Sequence, residues 1–294
     1  MSIKSNVCIE NIQEFDKYEK NSISAIKIKK NISAQEILCF IQNISKCSTL
    51  SQVVLSLRGN YQAGYDIKLL LENLTFKNVT YLSLDMSTSK MDYNQATLLG
   101  NKIGTLENIT YLVLYLGFNQ ISNEGAFQIG EGLGKCQNLK FLVFQAFNNN
   151  IGIKGAQGLS QGIRQCQQLT NLNMGIENNH MQKSGADYIS EMFVSLKCLT
   201  HLNLNLGQNL IEYYGAKSVL NEINNCKLMK TLTINMQQNL IYGSGLQSLG
   251  FQIKNYQYLN LLQIDLRLNQ NQNPTYFKQK AWKQTRLVKL ILFV

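Results

Sequence analysis

The sequence predicts an α/β solenoid, in which a strand, a turn and a helix recur along the chain. Three observations predict it: leucines recur every 30 residues, apolar residues alternate in the first half of each unit, and they follow helical spacing in the second half. One such unit cannot bury a core alone, so the units must stack. We expect a horseshoe of about ten strands, with one parallel sheet on its concave face and helices on its convex face.

A central leucine, numbered position 0 of each unit, carries the repeat. The central leucines are Leu82, Leu112, Leu142, Leu172, Leu202, Leu232 and Leu262. Positions −3, +2 and +4 are also apolar, which is the alternation of a strand with one buried face. In the second half, pairs such as Ile129 with Leu133 and Leu159 with Ile163 are spaced by four residues, which predicts an amphipathic helix.

Two further positions separate the strand from the helix. Position +7 is asparagine in six units, with Ser89 as the exception, and we expect its side-chain amide to hold nearby backbone. The six are Asn119, Asn149, Asn179, Asn209, Asn239 and Asn269. Position +13 is glycine from Gly125 to Gly245, which predicts either a close approach of neighbouring helices or a backbone with positive φ.

Less regular units flank the repeats. Ile26 and Ile28 predict a strand, and Ser33 with Glu36 predicts the start of a helix over residues 33–46. The next unit keeps the register at Leu50, Val53, Leu55, Leu57 and Asn60. We therefore predict one domain over residues 1–294, divided into an irregular N-terminal repeat or cap (1–49), regular repeats (50–268) and a basic C-terminal segment (269–294).

The C-terminal segment ends in a predicted edge strand, Leu287–Val294. Its unpaired backbone groups could pair with a partner, or the preceding basic segment with Trp282 could fold over them. The sequence leaves both possibilities open.

The pattern Leu-x-x-Leu-x-Leu-x-Leu-Gly-x-Asn-x-Ile-x-x-x-Gly-Ala runs from Leu199 to Ala216. It resembles the leucine-rich repeat of the ribonuclease-inhibitor-like class, in a 30-residue variant with a longer strand region. The resemblance covers almost the whole chain and implies a horseshoe fold. It also implies an alternative function, because some proteins of this class activate Ran-type GTPases. Their acidic C-terminal region contrasts with the basic end of this chain.

Composition excludes several classes of function. The net charge is +10, but residues 61–240 carry only +1 of it, so no basic stripe crosses the repeats and nucleic acid is not the expected partner. No apolar run is long enough to span a membrane. The N-terminus lacks the features of a signal or transit peptide, and seven cysteines without dense spacing fit a reducing compartment. We expect an intracellular, cytoplasmic protein.

Catalysis finds no support in the sequence. Gly158–Gly162 matches the Gly-x-Ser-x-Gly nucleophile elbow, but the register places it inside a helix rather than at a strand-to-helix turn. His180 and His201 are isolated surface positions in this interpretation. Four cysteines share one apolar column, namely Cys47, Cys136, Cys166 and Cys226. No cysteine and histidine cluster has metal-ligand spacing. We expect no enzyme activity, no cofactor and no metal.

The predicted concave face consists of positions −1, +1 and +3. In the C-terminal half these are mostly amide or small residues, whereas an aromatic patch covers the N-terminal half. We define this aromatic patch as Tyr81, Tyr111, Val113, Tyr115, Phe141, Val143 and Phe147. Because neighbouring strands lie about 4.8 Å apart, Tyr81, Tyr111 and Phe141 should form a ladder of rings.

Exposed aromatic patches serve as anchors in protein interfaces, so we predict a non-enzymatic scaffold that binds a protein partner here. The sequence leaves two alternatives open for the same residues. The ladder could simply stabilise the sheet, or an N-terminal segment could cover it.

Overall fold

The strands form one parallel sheet in chain order. The computed structural model describes residues 23, 25–28, 36, 39–40, 43–44, 46–59, 64–73, 76, 78–242, 257–269 and 289–293. Ten strands lie side by side in the order β1 to β10. Their bounds are Ala25–Ile28 (β1), Gln52–Ser56 (β2), Tyr81–Asp85 (β3), Tyr111–Tyr115 (β4), Phe141–Gln145 (β5), Asn171–Gly175 (β6), His201–Asn205 (β7), Thr231–Asn235 (β8), Leu261–Asp265 (β9) and Lys289–Phe293 (β10).

Helices follow the strands and stack against one another. Those with complete bounds are Gly64–Asn73 (α1), Tyr93–Ile103 (α2), Ser122–Gly134 (α3), Ile153–Ile163 (α4), Gln182–Glu191 (α5) and Glu212–Ile223 (α6), and a 3-10 turn at Met192–Val194 extends α5. The described residues 36, 39–40 and 43–44 are also helical and lie inside the helix predicted over residues 33–46. Consecutive helices contact each other, as consecutive strands do. The predicted leucine-rich-repeat solenoid is therefore confirmed. None of the helices described is long and apolar enough to cross a membrane.

The 30-residue spacing of the central leucines determines the register in which the strands pair. Leu82 of β3 pairs with Leu112 of β4, and this in turn pairs with Leu142 of β5. Each strand from β3 to β9 buries positions 0 and +2, and the helices bury their apolar faces against the same core. The residues between these positions therefore face away from the helices, and together they form the concave face.

Asparagines at position +7 bond each repeat to the one before it. Asn179 Nδ2 donates to the carbonyl oxygens of Ile176 (3.0 Å) and of Ala146 in the preceding repeat (3.1 Å). Its Oδ1 accepts from the backbone N–H of Asn149 (3.0 Å) and Ile151 (2.9 Å), also in the preceding repeat. The predicted role of these side chains is confirmed, and the backbone that they hold belongs to two repeats. We call the six asparagines the Asn ladder.

The Asn ladder is least complete at Asn209. Asn209 Nδ2 donates to the carbonyl oxygens of Ile176 (2.9 Å) and Leu206 (3.2 Å), as the pattern requires. Its Oδ1 is buried and accepts no hydrogen bond, whereas the Oδ1 of Asn179 and of Asn239 each accepts two. The repeat that holds Asn179 is therefore joined less firmly to the repeat that follows it.

The glycines at position +13 are explained by close approach of the helices. A Cβ at Gly125 would lie 2.5 Å from Ala96 Cβ, and one at Gly215 would lie 3.0 Å from Ala186 Cβ. None of the described +13 glycines has positive φ. Of the two predicted reasons, the structure therefore supports tight packing. Gly245 lies outside the described residues.

Left-handed backbone occurs instead in the turn after each strand, in some repeats at positions +8 and +10 and most regularly at position +6, just before the Asn ladder. Seven consecutive repeats have φ between 50° and 58° there, and none of these residues is glycine. They are Thr88, Phe118, Asn148, Asn178, Gln208, Gln238 and Leu268. Asparagine adopts this conformation more readily than most residues, which gives Asn148 and Asn178 a structural reason.

The ends of the chain are described only in part. Strands at Ile26 and Ile28 and at Val53 and Leu55 are confirmed. The last strand is observed at Lys289–Phe293 and pairs with β9, inside the predicted Leu287–Val294. Ser33, Asn60, the lysine-rich stretch 270–288 with Trp282, and Val294 lie outside the described residues, and the predicted domain bounds stay predictions.

Replacement of a ladder asparagine tests its role. Asn179→Ala leaves buried N–H and carbonyl groups of two repeats without partners, and each such group costs about 1–3 kcal/mol. We expect the free energy of unfolding in urea to fall by at least about 2 kcal/mol. Asn101→Ala, at an exposed position of α2, is the matched control and should change it by less than about 0.5 kcal/mol. Equal effects of the two variants would contradict the ladder's role.

Two helix glycines test close packing on the convex side. A Cβ at Gly162 would overlap the carbonyl oxygen of Gly130, whereas one at Gly134 would come no nearer than 3.3 Å to its neighbour, Gly162 Cα. Alanine stabilises a helix by about 1 kcal/mol relative to glycine, but overpacking costs about 1–3 kcal/mol. We expect Gly162→Ala to lower the melting temperature and Gly134→Ala to change it much less. A higher melting temperature for Gly162→Ala would contradict tight packing of the helices at this position.

Candidate functional site

The predicted ring ladder lies on the concave face. Tyr81 and Tyr111 are stacked with ring centroids 4.7 Å apart and planes at 24°. Tyr111 and Phe141 are stacked at 5.0 Å and 15°. The rings lie parallel because they occupy position −1 of three paired strands. Burial, followed by the electrostatic effect of Tyr111 and Tyr115, raises the pKa of Tyr81.

Stacking covers the ring faces that lie inside the ladder, whereas the outer face of the last ring remains accessible to a partner. Phe141 is the last ring and is 36% exposed, whereas Tyr81 and Tyr111 are half-buried. Its neighbour at position −1 of the next strand is Asn171, which is not aromatic. The outer side of the Phe141 ring therefore borders the amide half of the concave face.

The two valines of the aromatic patch are less exposed than Phe141 and Tyr115. Val113 is only 5% exposed, so its prediction as part of the accessible surface is wrong. It sits between Tyr111 and Tyr115 on β4 and is paired with Val143 on β5, and these neighbours shield it. Val143 is half-buried, and Tyr115 is 40% exposed.

Phe147 forms a second aromatic pair with Phe118. The two rings meet edge to face, with centroids 5.1 Å apart and planes at 86°. Phe147 lies over Gly117, because a Cβ at Gly117 would be 2.5 Å from its ring. Phe118 is 56% exposed and is absent from the predicted patch. Position +6 lies outside the predicted sheet face, and only the repeated turn geometry brings Phe118 beside Phe147.

A groove of about 380 Å³ joins the two halves of the concave face. Its aromatic wall includes Tyr111 and Phe141, and the opposite part is lined by amide, hydroxyl and imidazole groups. These polar lining residues are Asn171, Asn173, His201, Asn203, Thr231 and Thr233. They supply both donors and acceptors but carry no fixed charge.

Beyond the groove, oxygen atoms converge above Gly175. A Cβ at Gly175 would overlap Gln145 Oε1 and would lie 3.1 Å from Glu177 Oε2. Gln145 Nε2 donates to Asn173 Oδ1 at 3.0 Å, which orients its amide. Glu177 Oε2 is buried and accepts no hydrogen bond, and burial raises the pKa of this carboxyl.

The nucleophile-elbow motif has no catalytic geometry. Ser160 lies in the middle of α4 and is buried, and its Oγ donates to the carbonyl oxygen of Tyr188 at 2.5 Å. His180 is exposed, and His201 Nδ1 lies 2.7 Å from Thr200 Oγ1 on the concave face. The position of Ser160 inside a helix agrees with the sequence prediction.

The shared cysteine column is buried, as predicted. Cys136 donates to the carbonyl oxygen of Ile103 at 3.4 Å, and Cys166 donates to that of Leu133 at 3.3 Å, each 33 residues earlier. Burial raises the pKa of the Cys136, Cys166 and Cys226 thiols to about 12. Within the described ranges, no three histidine, cysteine or acidic side chains are grouped so that they could hold a metal ion.

Thiol reactivity tests this burial. At pH 8, far below a pKa of about 12, Cys136 and Cys166 are protonated and shielded, whereas Cys198 is exposed. We expect iodoacetamide to alkylate Cys198 in the native protein and the buried pair only after unfolding. Peptide mass spectrometry would measure the adducts. Alkylation of Cys166 at the rate of Cys198 in native protein would show that the core is open.

Comparison with known proteins gives distant structural matches at low sequence identity. No protein-family model matches this sequence, and no curated protein matches it either. Among solved structures, internalin C2 from Listeria monocytogenes is 21% identical, with a TM-score of 0.39 over 70% of this chain and 69% of that chain. Rad7, solved in complex with Elc1 in yeast, is 11% identical, with a TM-score of 0.46 over 95% and 73%.

Proposed function

We propose that this protein is a non-enzymatic scaffold that binds a protein partner on its concave face. The observation that carries the proposal is the stacked Tyr81, Tyr111 and Phe141 ladder, which ends in a partly exposed ring beside a polar groove. Interface centres combine an aromatic anchor with polar groups that fix orientation. The aromatic half would supply the anchor, and the amide-lined half would supply hydrogen bonds.

The size of the helices supports a finer assignment. Each of the helices α2, α3, α4 and α6 has 11 to 13 residues, so the strands β3, β4, β5 and β7 are each followed by a full helix. We infer that the units are leucine-rich repeats of the ribonuclease-inhibitor-like class. Activation of a Ran-type GTPase rests on that resemblance alone, and no described side chain adds support for it.

A second contact surface is proposed at β10. This strand pairs with β9 along one edge, and the Arg267 guanidinium lies 4.8 Å from the centre of the Phe293 ring. No further strand pairs with its other edge among the residues described, so a partner strand could add there. Cross-links from Lys289 to a co-purifying protein would support this contact.

Removal of two ladder rings tests the main proposal. Tyr111→Ala combined with Phe141→Ala deletes two of the three stacked rings and should abolish co-purification of specific partners, as measured by affinity purification and mass spectrometry. We expect little change in melting, because a cross-strand aromatic pair contributes only about 0.2–1 kcal/mol.

A matched double variant controls for the loss of aromatic surface. Tyr214→Ala with Tyr258→Ala removes two exposed rings outside the aromatic patch and should keep every partner. If the ladder variant melts at a sharply lower temperature yet retains its partners, the ladder is a stabilising element and the proposal is wrong.

A further inference from the structure

The starting observation is the unpartnered carboxylate on the concave face. Glu177 Oε2 is buried and accepts no hydrogen bond from any described group. Native proteins rarely leave such an atom unsatisfied, since a buried polar group without a partner destabilises the fold. Burial raises the pKa of Glu177, and a backbone hydrogen bond at Glu177 opposes this effect only in part.

A second acceptor lies beside this carboxylate. Gln145 Oε1 and Glu177 Oε2 both lie over the Cα of Gly175, where any larger residue would displace them. The donor end of the Gln145 amide is already used, because Nε2 bonds Asn173 Oδ1 at 3.0 Å. The group therefore presents acceptors, one of them a carboxylate oxygen. A hydrogen-bond donor, and in particular a positively charged one, would satisfy these oxygen atoms.

The aromatic patch flanks this pair of acceptors. Tyr115 occupies the same position as Gln145 in the preceding repeat and is 40% exposed. Phe147 occupies the same position as Glu177 and leans over Gly117, towards the preceding repeat, whereas the space above Gly175 holds the side-chain ends of Gln145 and Glu177. Aromatic rings attract cations, which adds to the preference set by the oxygen atoms.

No cation among the described residues forms an ion pair with Glu177. The ion pairs of the described residues join Lys68 with Glu72, Lys183 with Asp187, and Arg267 with Asp265, and none includes Glu177. A flexible ammonium with three donors can reach two acceptors that come from different side chains, whereas a guanidinium matches the paired oxygens of a single carboxylate better. The arrangement therefore favours lysine.

We propose that Gln145 and Glu177 form a subsite for a lysine side chain of the protein partner. The inference rests on the proposed scaffold function and adds a chemical requirement to it. A partner that lies against the aromatic ladder would place a lysine above Gly175, with its ammonium bonded to Gln145 Oε1 and Glu177 Oε2. The subsite would select among partners that offer similar apolar surface.

Titration of the full-length protein with a small lysine compound tests the subsite without knowledge of the partner. The probe is N-acetyl-lysine methylamide, and the measurement is the chemical shift of the Gly175 backbone amide and the Gln145 side-chain amide in ¹⁵N-labelled protein. We expect saturable shifts of both signals. N-acetyl-norleucine methylamide, which has the same chain length without the ammonium, should not produce them.

Two variants make the test specific. Glu177→Gln keeps the shape but removes the charge and should weaken lysine-probe binding by at least about tenfold, the loss of one charge-assisted hydrogen bond. Glu191→Gln removes an exposed acid on α5 and should leave binding unchanged. Gly175→Ala displaces the flexible ends of Gln145 and Glu177 and no backbone, so the protein should still fold, yet the two acceptors can no longer keep their positions and binding should be lost.

The outcomes separate this inference from the scaffold proposal. Equal shifts with the norleucine compound, or unchanged lysine binding in Glu177→Gln or Gly175→Ala, would overturn the lysine subsite. Neither result touches the ring ladder. Conversely, loss of partners in the Tyr111 and Phe141 double variant can be measured whether or not the small probe binds, so each proposal can fail alone.

Discussion

The Asn ladder is the interaction on which the rest of the molecule depends. Each ladder side chain donates to carbonyl oxygens of its own turn and of the preceding repeat, as Asn179 does, and so fixes the distance and orientation between the two. With that link in place, the strands pair without any shift from β3 to β9. The stacked rings of the concave face need this constancy, because a shift of one residue would turn each ring towards the core.

Much of the fold could be predicted because residues at the same position of consecutive repeats pair with each other in the sheet. Leucines at 30-residue spacing imply paired strands, and paired strands imply that Tyr111 stacks between Tyr81 and Phe141. The reason for the +13 glycines could not be chosen from the sequence, since close packing and positive φ both require the same residue. The left-handed backbone at Leu268 could not be predicted either, because leucine disfavours that conformation.

The site was less predictable because side-chain directions depend on neighbours in other repeats. Val113 belongs to the expected face, yet its own neighbours bury it. Phe147 turns towards the preceding repeat because Gly117 leaves room there, and Phe118 joins it from a turn position. The side-chain oxygen atoms of Gln145 and Glu177 come together above Gly175 because Gln145 extends towards the following repeat and Glu177 extends back towards Gly175 of its own repeat. None of these choices is encoded by residue type alone.

The unsatisfied oxygen of Asn209 weakens one interface between neighbouring repeats of the solenoid. A stack in which each unit contacts only its neighbours unfolds wherever one interface is weakest. The interface between the repeats of Asn179 and Asn209 lacks the two hydrogen bonds that the Oδ1 atoms of Asn179 and Asn239 accept, and the helix on its N-terminal side ends in a 3-10 turn. The aromatic patch lies wholly on the N-terminal side of this interface, so local opening there would leave the patch within one block of repeats.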